Sequence, residues 1–101
     1  MLNPLPKIRA LIVDDQVLVA DAVRLMLSVD EDVVVQIVSV ADVALAAAVD
    51  FAPTVLLQDV LMPQKSGLQL IREYRRNPAL VEVPIIVLSG VDEPHTKRQP
   101  F

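Results

Sequence analysis

The sequence predicts one α/β domain built around a parallel β-sheet. Four short apolar runs are separated by three longer segments within about eighty residues, and each intervening segment is long enough to cross over between two parallel strands. Hydrophobic residues make up 53% of the 101 residues, and aromatic residues only 3%. We therefore expect a core of Val, Leu, Ile and Ala side chains, which suits helices packed on a sheet.

Four apolar runs are expected to form buried strands, because they are short, nearly continuous and rich in β-branched residues. They span residues 8–13, 33–38, 55–58 and 85–88. Three of the runs end directly in polar residues: the first in Asp14 and Asp15, the third in Asp59 and the fourth in Ser89. Gln58, the last residue of the third run, is buried in this prediction and must find hydrogen-bond partners in the core.

The segment after the first run, over about residues 16–28, is predicted to be an amphipathic helix. Its apolar residues at helical spacing should face the sheet, and they are Val19, Ala22, Val23, Met26 and Leu27.

Two further helices are predicted. An alanine-rich helix over 44–49 is expected to begin at a capping box made by Ser39 and Asp42. The third helix, over about 68–76, follows a loop in which Pro63 and Gly67 are expected to have structural roles.

Composition excludes several classes of protein. The chain has no cysteine and only two glycines, so disulfide scaffolds, thiolate metal sites, P-loops and GxGxxG turns are excluded. A net charge of -4 is the wrong sign for direct binding of nucleic acid. No apolar run reaches the length of a membrane span, and the first residues do not resemble a signal peptide. We therefore expect a cytoplasmic protein without a direct nucleic-acid or membrane partner.

The polar residues that follow the strands should meet, because ligands of open parallel sheets bind beyond the carboxyl ends of the strands. Three carboxylates placed together repel one another unless a cation lies between them. Oxygen ligands alone suit Mg²⁺ or Mn²⁺. The alternatives are that Asp14 or Asp15 only caps the following helix, and that Ser89 is an ordinary turn residue.

The segments LIVDDQ, LLQDVLMPQKSG and PIIVLSG resemble the receiver domain of bacterial two-component response regulators over about residues 8–93. The resemblance implies a flavodoxin-like parallel sheet with strand order 2-1-3-4. The longer phrases QDVLMPQKSGLQLIREYRRNP and VPIIVLSGVDEP are similar to receivers that precede diguanylate cyclase output domains.

This resemblance implies a signalling module and not an enzyme. Asp59 would be the phosphoacceptor, and Ser89, thirty positions later, would hydrogen-bond the phosphoryl group and act as the switch. Asp15 and Asp59 would bind Mg²⁺ or Mn²⁺ directly, Asp14 would bind through a water, and the backbone carbonyl of Leu61 would complete the protein ligands. The phosphoryl donor would be a sensor histidine kinase or a phosphotransfer protein.

The resemblance stops short of the family's full length, since only twelve residues follow Ser89. We expect residues 1–101 to be a single incomplete receiver domain, with a core over 8–93 and a tail over 94–101. It would lack the family's fifth strand, the lysine of that strand, and the fifth helix, which implies slow phosphorylation. Self-association through the open edge of the fourth strand, or by segment exchange, is also expected.

Two other functions compete with this hypothesis. One is a phosphorylation-incompetent, oligomerising interaction module, which the missing lysine favours. The other is a metal-dependent phosphatase with an aspartyl nucleophile, but such enzymes commonly carry a second acid two residues after the nucleophile, where this chain has Leu61.

Overall fold

The computed structural model describes residues 7–88 of the chain. Its strands and helices are β1 (Ile8–Val13), α1 (Val17–Leu27), β2 (Val33–Val38), a 3₁₀ turn (Ala41–Val43), α2 (Ala44–Phe51), β3 (Val55–Asp59), α3 (Gly67–Arg76) and β4 (Ile85–Leu88). All neighbouring strands are parallel, in the order β2-β1-β3-β4. The predicted α/β class and strand order are confirmed.

Helices cover both faces of the sheet. On one face α1 packs over Ala10, Ile12 and Leu57. On the other face α2 and α3 pack over the alternate residues of the same strands, such as Leu11 and Leu56. Because successive side chains of a strand point to opposite faces, strands buried on both faces must be apolar at nearly every position.

The predicted inner face of α1 is wrong in part. Ala20 is buried, and Val23 and Leu27 pack against the sheet, but Val19 is 41% and Met26 is 68% exposed. The helix is apolar on most of its surface, so spacing alone does not define which stripe faces the sheet. No helix within residues 7–88 has the length and apolar character that crossing a membrane requires.

The predicted capping box at Ser39 and Asp42 is also wrong. A 3₁₀ turn stands between β2 and α2, with Val40 at its N-cap and Val43 at the N-cap of α2, and neither end has a side-chain cap hydrogen bond. The added turn places the start of α2 beyond the reach of Ser39. Among the helices of residues 7–88, the side-chain cap belongs to α3, where Ser66 accepts a hydrogen bond from the backbone N–H of Gln69 at 3.2 Å.

Arg9 connects the start of β1 to the end of α2. Its Nη2 donates to the backbone oxygen of Phe51 at 2.6 Å, and its guanidinium lies 4.4 Å from the centre of the Phe51 ring. A cation at the C-terminus of a helix stabilises the helix dipole, and the ring contact adds a cation–π interaction. This anchor lies at the edge of the sheet where β1 and β3 begin, opposite to the edge where they end.

Candidate functional site

Three aspartates meet at the carboxyl edge of the sheet. Val13 pairs with Gln58 in the register of β1 and β3, so the residues that follow them come out of the sheet side by side. Asp14, Asp15 and Asp59 each offer a carboxylate oxygen, and these oxygens all lie within 4.8 Å of one another. The predicted convergence of the three carboxylates is therefore observed.

The three carboxylates differ in their surroundings. Asp14 and Asp59 are only 4% and 8% exposed, because each stands at the end of a strand buried on both faces. Asp15 is half-buried, yet its Oδ1 is buried and has no hydrogen-bond partner. A buried carboxylate oxygen without a donor is costly unless a cation or water satisfies it.

Helix capping does not explain these acids. The N-cap of α1 is Gln16, so neither Asp14 nor Asp15 occupies the N-cap position. Asp14 instead accepts a hydrogen bond from the backbone N–H of Gln16 at 2.8 Å through its Oδ1, a local turn that directs the chain from β1 towards α1. The capping alternative for Asp14 and Asp15 is wrong.

Asp59 is the acid whose ionisation the fold opposes. Burial raises the pKa of Asp59 from its ordinary value of 3.8 to about 6, and the negative charge of Asp14 contributes to the rise. The backbone N–H of Leu61 donates to Asp59 Oδ1 at 3.1 Å and lowers this pKa in part. Ionised carboxylates held this close to one another favour a positive ion between them.

The donor set fits a hard divalent cation. It consists of three carboxylates with no nitrogen or sulfur ligand, and one of its buried oxygens has no partner. Mg²⁺ and Mn²⁺ prefer oxygen ligands and keep several waters when few protein groups bind them. The carbonyl of Leu61 as a further ligand stays a prediction.

The loop after β3 depends on Gly67. Its backbone N–H donates to the oxygen of Val60 at 2.9 Å. A Cβ atom at this position would overlap the backbone oxygen of Asp59 and lie 2.7 Å from Cα of Val60, so a larger residue requires the backbone to move. The expected structural role of Gly67 is confirmed.

Lys65 connects the same loop to α3 through an ion pair. Its Nζ lies 3.0 Å from Oε2 of Glu73, and both side chains are 24% exposed. The preceding residue, Gln64, has a left-handed backbone with φ 71, and the N–H of Lys65 donates to the oxygen of Pro63 at 2.7 Å. A side chain paired with Glu73 is turned towards α3, and the sequence carried no signal for this pairing.

Gln58 has found the partners that its buried position requires. The hydroxyl of Tyr74 donates to Gln58 Oε1 at 2.6 Å, and Gln58 Nε2 donates to the backbone oxygen of Asp59 at 2.9 Å. Tyr74 was not predicted as this partner. The signal available for it was a single polar residue in an apolar strand, with a tyrosine on the following helix.

Ser89, predicted to hydrogen-bond the phosphoryl group, lies outside the described residues, as do the rest of the expected core up to residue 93 and the tail over 94–101. The roles given to Ser89 and to those segments stay predictions.

Comparison with known proteins identifies the same family that the sequence motifs resemble. The family described as "Response regulator receiver domain" matches residues 10–100. The transcriptional regulatory protein YdfI of Bacillus subtilis is 30% identical over 88 residues, which are 86% of this chain and 40% of that protein. The protein-glutamate methylesterase/protein-glutamine glutaminase 2 of Cereibacter sphaeroides is 38% identical over 84 residues, 82% of this chain and 22% of that protein. The chain thus spans less than half the length of either relative.

Solved structures agree with the sequence relatives. A response regulator from Desulfuromonas acetoxidans has a TM-score of 0.72 and 30% identity, covering 81% of this chain and 66% of that one. A sensor protein from Polaromonas sp. JS666 has a TM-score of 0.77 and 27% identity, covering 91% of this chain and 74% of that one. The expected similarity to receivers that precede diguanylate cyclase domains stays a prediction.

Proposed function

This chain belongs to the family of response regulator receiver domains, and we propose that it is a phosphoacceptor module of a two-component system. The observation that carries the proposal is the group of three carboxylates formed by Asp14, Asp15 and Asp59, in which burial and, to a smaller extent, the charge of Asp14 raise the pKa of Asp59 to about 6. Perturbed acids clustered at one edge of a sheet are typical of functional sites.

Asp59 is the proposed nucleophile. Its carboxylate would attack the phosphorus of a phosphohistidine, so that the P–N bond breaks, an acyl phosphate forms, and the imidazole leaves with its electron pair and takes up a proton. The N–H of Leu61 donates to Oδ1 of Asp59 at 3.1 Å and so restricts the orientation of the carboxylate. Ser89 is proposed to hydrogen-bond the transferred group and to act as the switch.

Asp15 and Asp59 are the proposed direct ligands of Mg²⁺, with Asp14 acting through a water and Leu61 through its carbonyl. The unpartnered oxygen of Asp15 supports this assignment. When bound, the metal would neutralise the phosphoryl oxygens that gather charge during transfer. Mn²⁺ has the same ligand preferences and is the proposed substitute.

The proposed phosphoryl donor is a sensor histidine kinase or a phosphotransfer protein, and the proposed location is the cytoplasm, where such donors present their phosphohistidine. The two sequence relatives named above are a transcriptional regulator and a methylesterase, so the pathway served by this receiver depends on what it contacts. We propose that the receiver itself is a switch and catalyses no output reaction.

The proposal is tested with Mg²⁺ and beryllofluoride, which together imitate a phosphoryl group on an aspartate. Amide NMR spectra of the wild-type chain should change around Asp14, Asp15 and Asp59, and the same additions should leave Asp59→Asn unchanged. An equal response in Asp59→Asn would remove Asp59 from its role. Exposed Asp50 on α2 provides the matched control, since Asp50→Asn should respond like the wild type.

A second candidate function is an oligomerising interaction module. Apolar side chains of α1 and β4 are exposed within residues 7–88, among them Leu18 at 87%, Met26 at 68% and Ile86 at 52%, and exposed apolar surface favours association. A chain that forms dimers in sedimentation experiments but does not respond to beryllofluoride would support this candidate over the phosphoacceptor.

A further inference from the structure

Two polar side chains, Gln58 and Tyr74, lie completely buried beneath the aspartate site, at 0% exposure each. A backbone carbonyl can only accept a hydrogen bond, so the Gln58 atom facing the oxygen of Asp59 must be Nε2. Oε1 therefore faces the hydroxyl of Tyr74, which donates to it at 2.6 Å. Burial, with a contribution from Glu73, raises the pKa of Tyr74, which keeps the phenol protonated as a donor.

These hydrogen bonds join α3 to the peptide that carries the site. Gln58 Nε2 holds the backbone oxygen of Asp59, and the neighbouring oxygen of Val60 accepts from the N–H of Gly67 at 2.9 Å. Beyond them the N–H of Leu61 reaches back to the carboxylate of Asp59. The backbone from Asp59 to Leu61 is thus held at every residue, and Tyr74 fixes the buried end of this chain of contacts.

We propose that Gln58 and Tyr74 are positioning residues for the Asp59 site: their buried hydrogen bonds hold the Asp59–Leu61 backbone in the conformation that binds Mg²⁺ and accepts the phosphoryl group. The inference rests on the proposed function. Neither residue touches the phosphoryl group, and both act through the backbone of Asp59.

A positioning role explains why this polar pair is buried better than stability does, because burying it adds little to the free energy of unfolding. A buried amide and hydroxyl must recover in hydrogen bonds what they lose in hydration, and an apolar pair of similar shape is often equally stable. What the polar pair adds is direction, because hydrogen bonds fix the orientation of a peptide group more strictly than apolar contacts do. Hydrogen bonds behind metal ligands typically change metal affinity by about 10- to 100-fold when they are removed.

The test compares the wild-type chain with Gln58→Leu and Tyr74→Phe. Gln58→Leu keeps a side chain of similar volume and removes every side-chain hydrogen bond of Gln58, including a weak one from Nε2 to Met62 Sδ, whereas Tyr74→Phe removes only the hydroxyl. The dissociation constants of Mg²⁺ and of beryllofluoride in the presence of Mg²⁺ are measured by calorimetry. We expect both to rise by about tenfold in Gln58→Leu, and by a smaller factor in Tyr74→Phe. The double variant should bind no more weakly than Gln58→Leu, because the two residues act as one unit.

Phe51→Leu is the control for a merely structural effect. Phe51 is buried in the same apolar cluster but lies at the opposite edge of the sheet, at the Arg9 anchor. The Phe51→Leu substitution should lower the free energy of unfolding while leaving the dissociation constants of Mg²⁺ and of beryllofluoride at the wild-type value. An equal loss of affinity in Phe51→Leu, or wild-type affinity in both Gln58→Leu and Tyr74→Phe, would overturn the inference.

A second measurement does not depend on the metal. Amide hydrogen exchange of Leu61 and Gly67 in the metal-free protein reports whether the backbone opens locally. These two amides should exchange about tenfold faster in Gln58→Leu, beyond any change in global stability, and no faster in Phe51→Leu. If the wild-type chain bound neither Mg²⁺ nor beryllofluoride, the proposed function would fail, and unchanged exchange in Gln58→Leu would separately show that the pair does not position the loop.

Discussion

Replacing Asp59 with asparagine should stabilise the metal-free protein at neutral and alkaline pH. Burial and the charge of Asp14 raise the pKa of Asp59 from 3.8 to about 6, so the unfolded chain loses this proton at lower pH than the folded chain does. At about pH 3 and below, the carboxyl is protonated in both states and has almost no effect on stability. As pH rises through about 4 to 6, the folded state becomes progressively less stable than it would be with a neutral group.

The size of the effect follows from the same two pKa values. The difference corresponds to about 3 kcal/mol above about pH 6, and solvent screening at the open edge of the site reduces it to about 1–3 kcal/mol. Asparagine retains an oxygen that accepts from the N–H of Leu61, so the substitution removes the charge and keeps the hydrogen bond. We therefore expect Asp59→Asn to raise the free energy of unfolding by about 1–3 kcal/mol at pH 8 and by almost nothing at about pH 3.

Urea unfolding with a metal chelator, repeated at several pH values, measures this difference. Excess Mg²⁺ should then stabilise the wild-type chain and leave Asp59→Asn unaffected, because a ligand stabilises only the state that binds it. Asp50→Asn, an exposed acid on α2, should follow the wild-type profile within about 0.5 kcal/mol. Parallel pH profiles of the free energy of unfolding for the wild type and Asp59→Asn would contradict the conclusion that ionising Asp59 destabilises the folded protein.

Four further outcomes are expected. Gly67→Ala should lower the free energy of unfolding by about 2–4 kcal/mol in urea, because its Cβ overlaps the backbone of Asp59; wild-type stability would contradict the close approach. Asp15→Asn should weaken Mg²⁺ binding by at least about tenfold in calorimetry, and unchanged affinity would remove Asp15 from the ligands. A double-mutant cycle on Lys65→Met and Glu73→Gln should give a coupling of about 0.5–1 kcal/mol in the free energy of unfolding for this half-buried ion pair. A coupling of zero would contradict a stabilising interaction between the two side chains. Sedimentation should show self-association through the exposed apolar side chains of α1 and β4, whereas a stable monomer at high concentration would oppose it.

The arrangement of the sheet was predictable because its signals are local. Each strand is a short apolar run that ends in a polar residue, and parallel strands bring their carboxyl ends to the same edge. That rule alone places Asp14 and Asp15 beside Asp59, as the structure does. A structural role for Gly67 was predictable, since a loop of this kind needs a residue without a side chain. The backbone atoms of Asp59 and Val60 that Gly67 approaches were not predictable.

The features that the sequence did not predict depend on contacts between distant elements. The inner stripe of α1 is ambiguous because the helix is apolar on nearly every side, and only packing on Ala10 and Ile12 decides it. The capping box failed because a 3₁₀ turn, which has no strong signal of its own, precedes α2. The hydrogen bond between Gln58 and Tyr74 joins residues sixteen positions apart. The type and position of one residue do not identify the other as its partner.

Phosphorylation of the chain itself is tested most directly by incubating it with Mg²⁺ and a small phosphoryl donor such as acetyl phosphate, and by locating any added phosphoryl group with mass spectrometry. We expect one phosphoryl group per chain, attached to Asp59, dependent on Mg²⁺ and lost in Asp59→Asn. A phosphoryl group attached elsewhere, or a chain that stays unmodified while a known receiver is labelled beside it, would contradict the claim that the three carboxylates form a phosphoacceptor site.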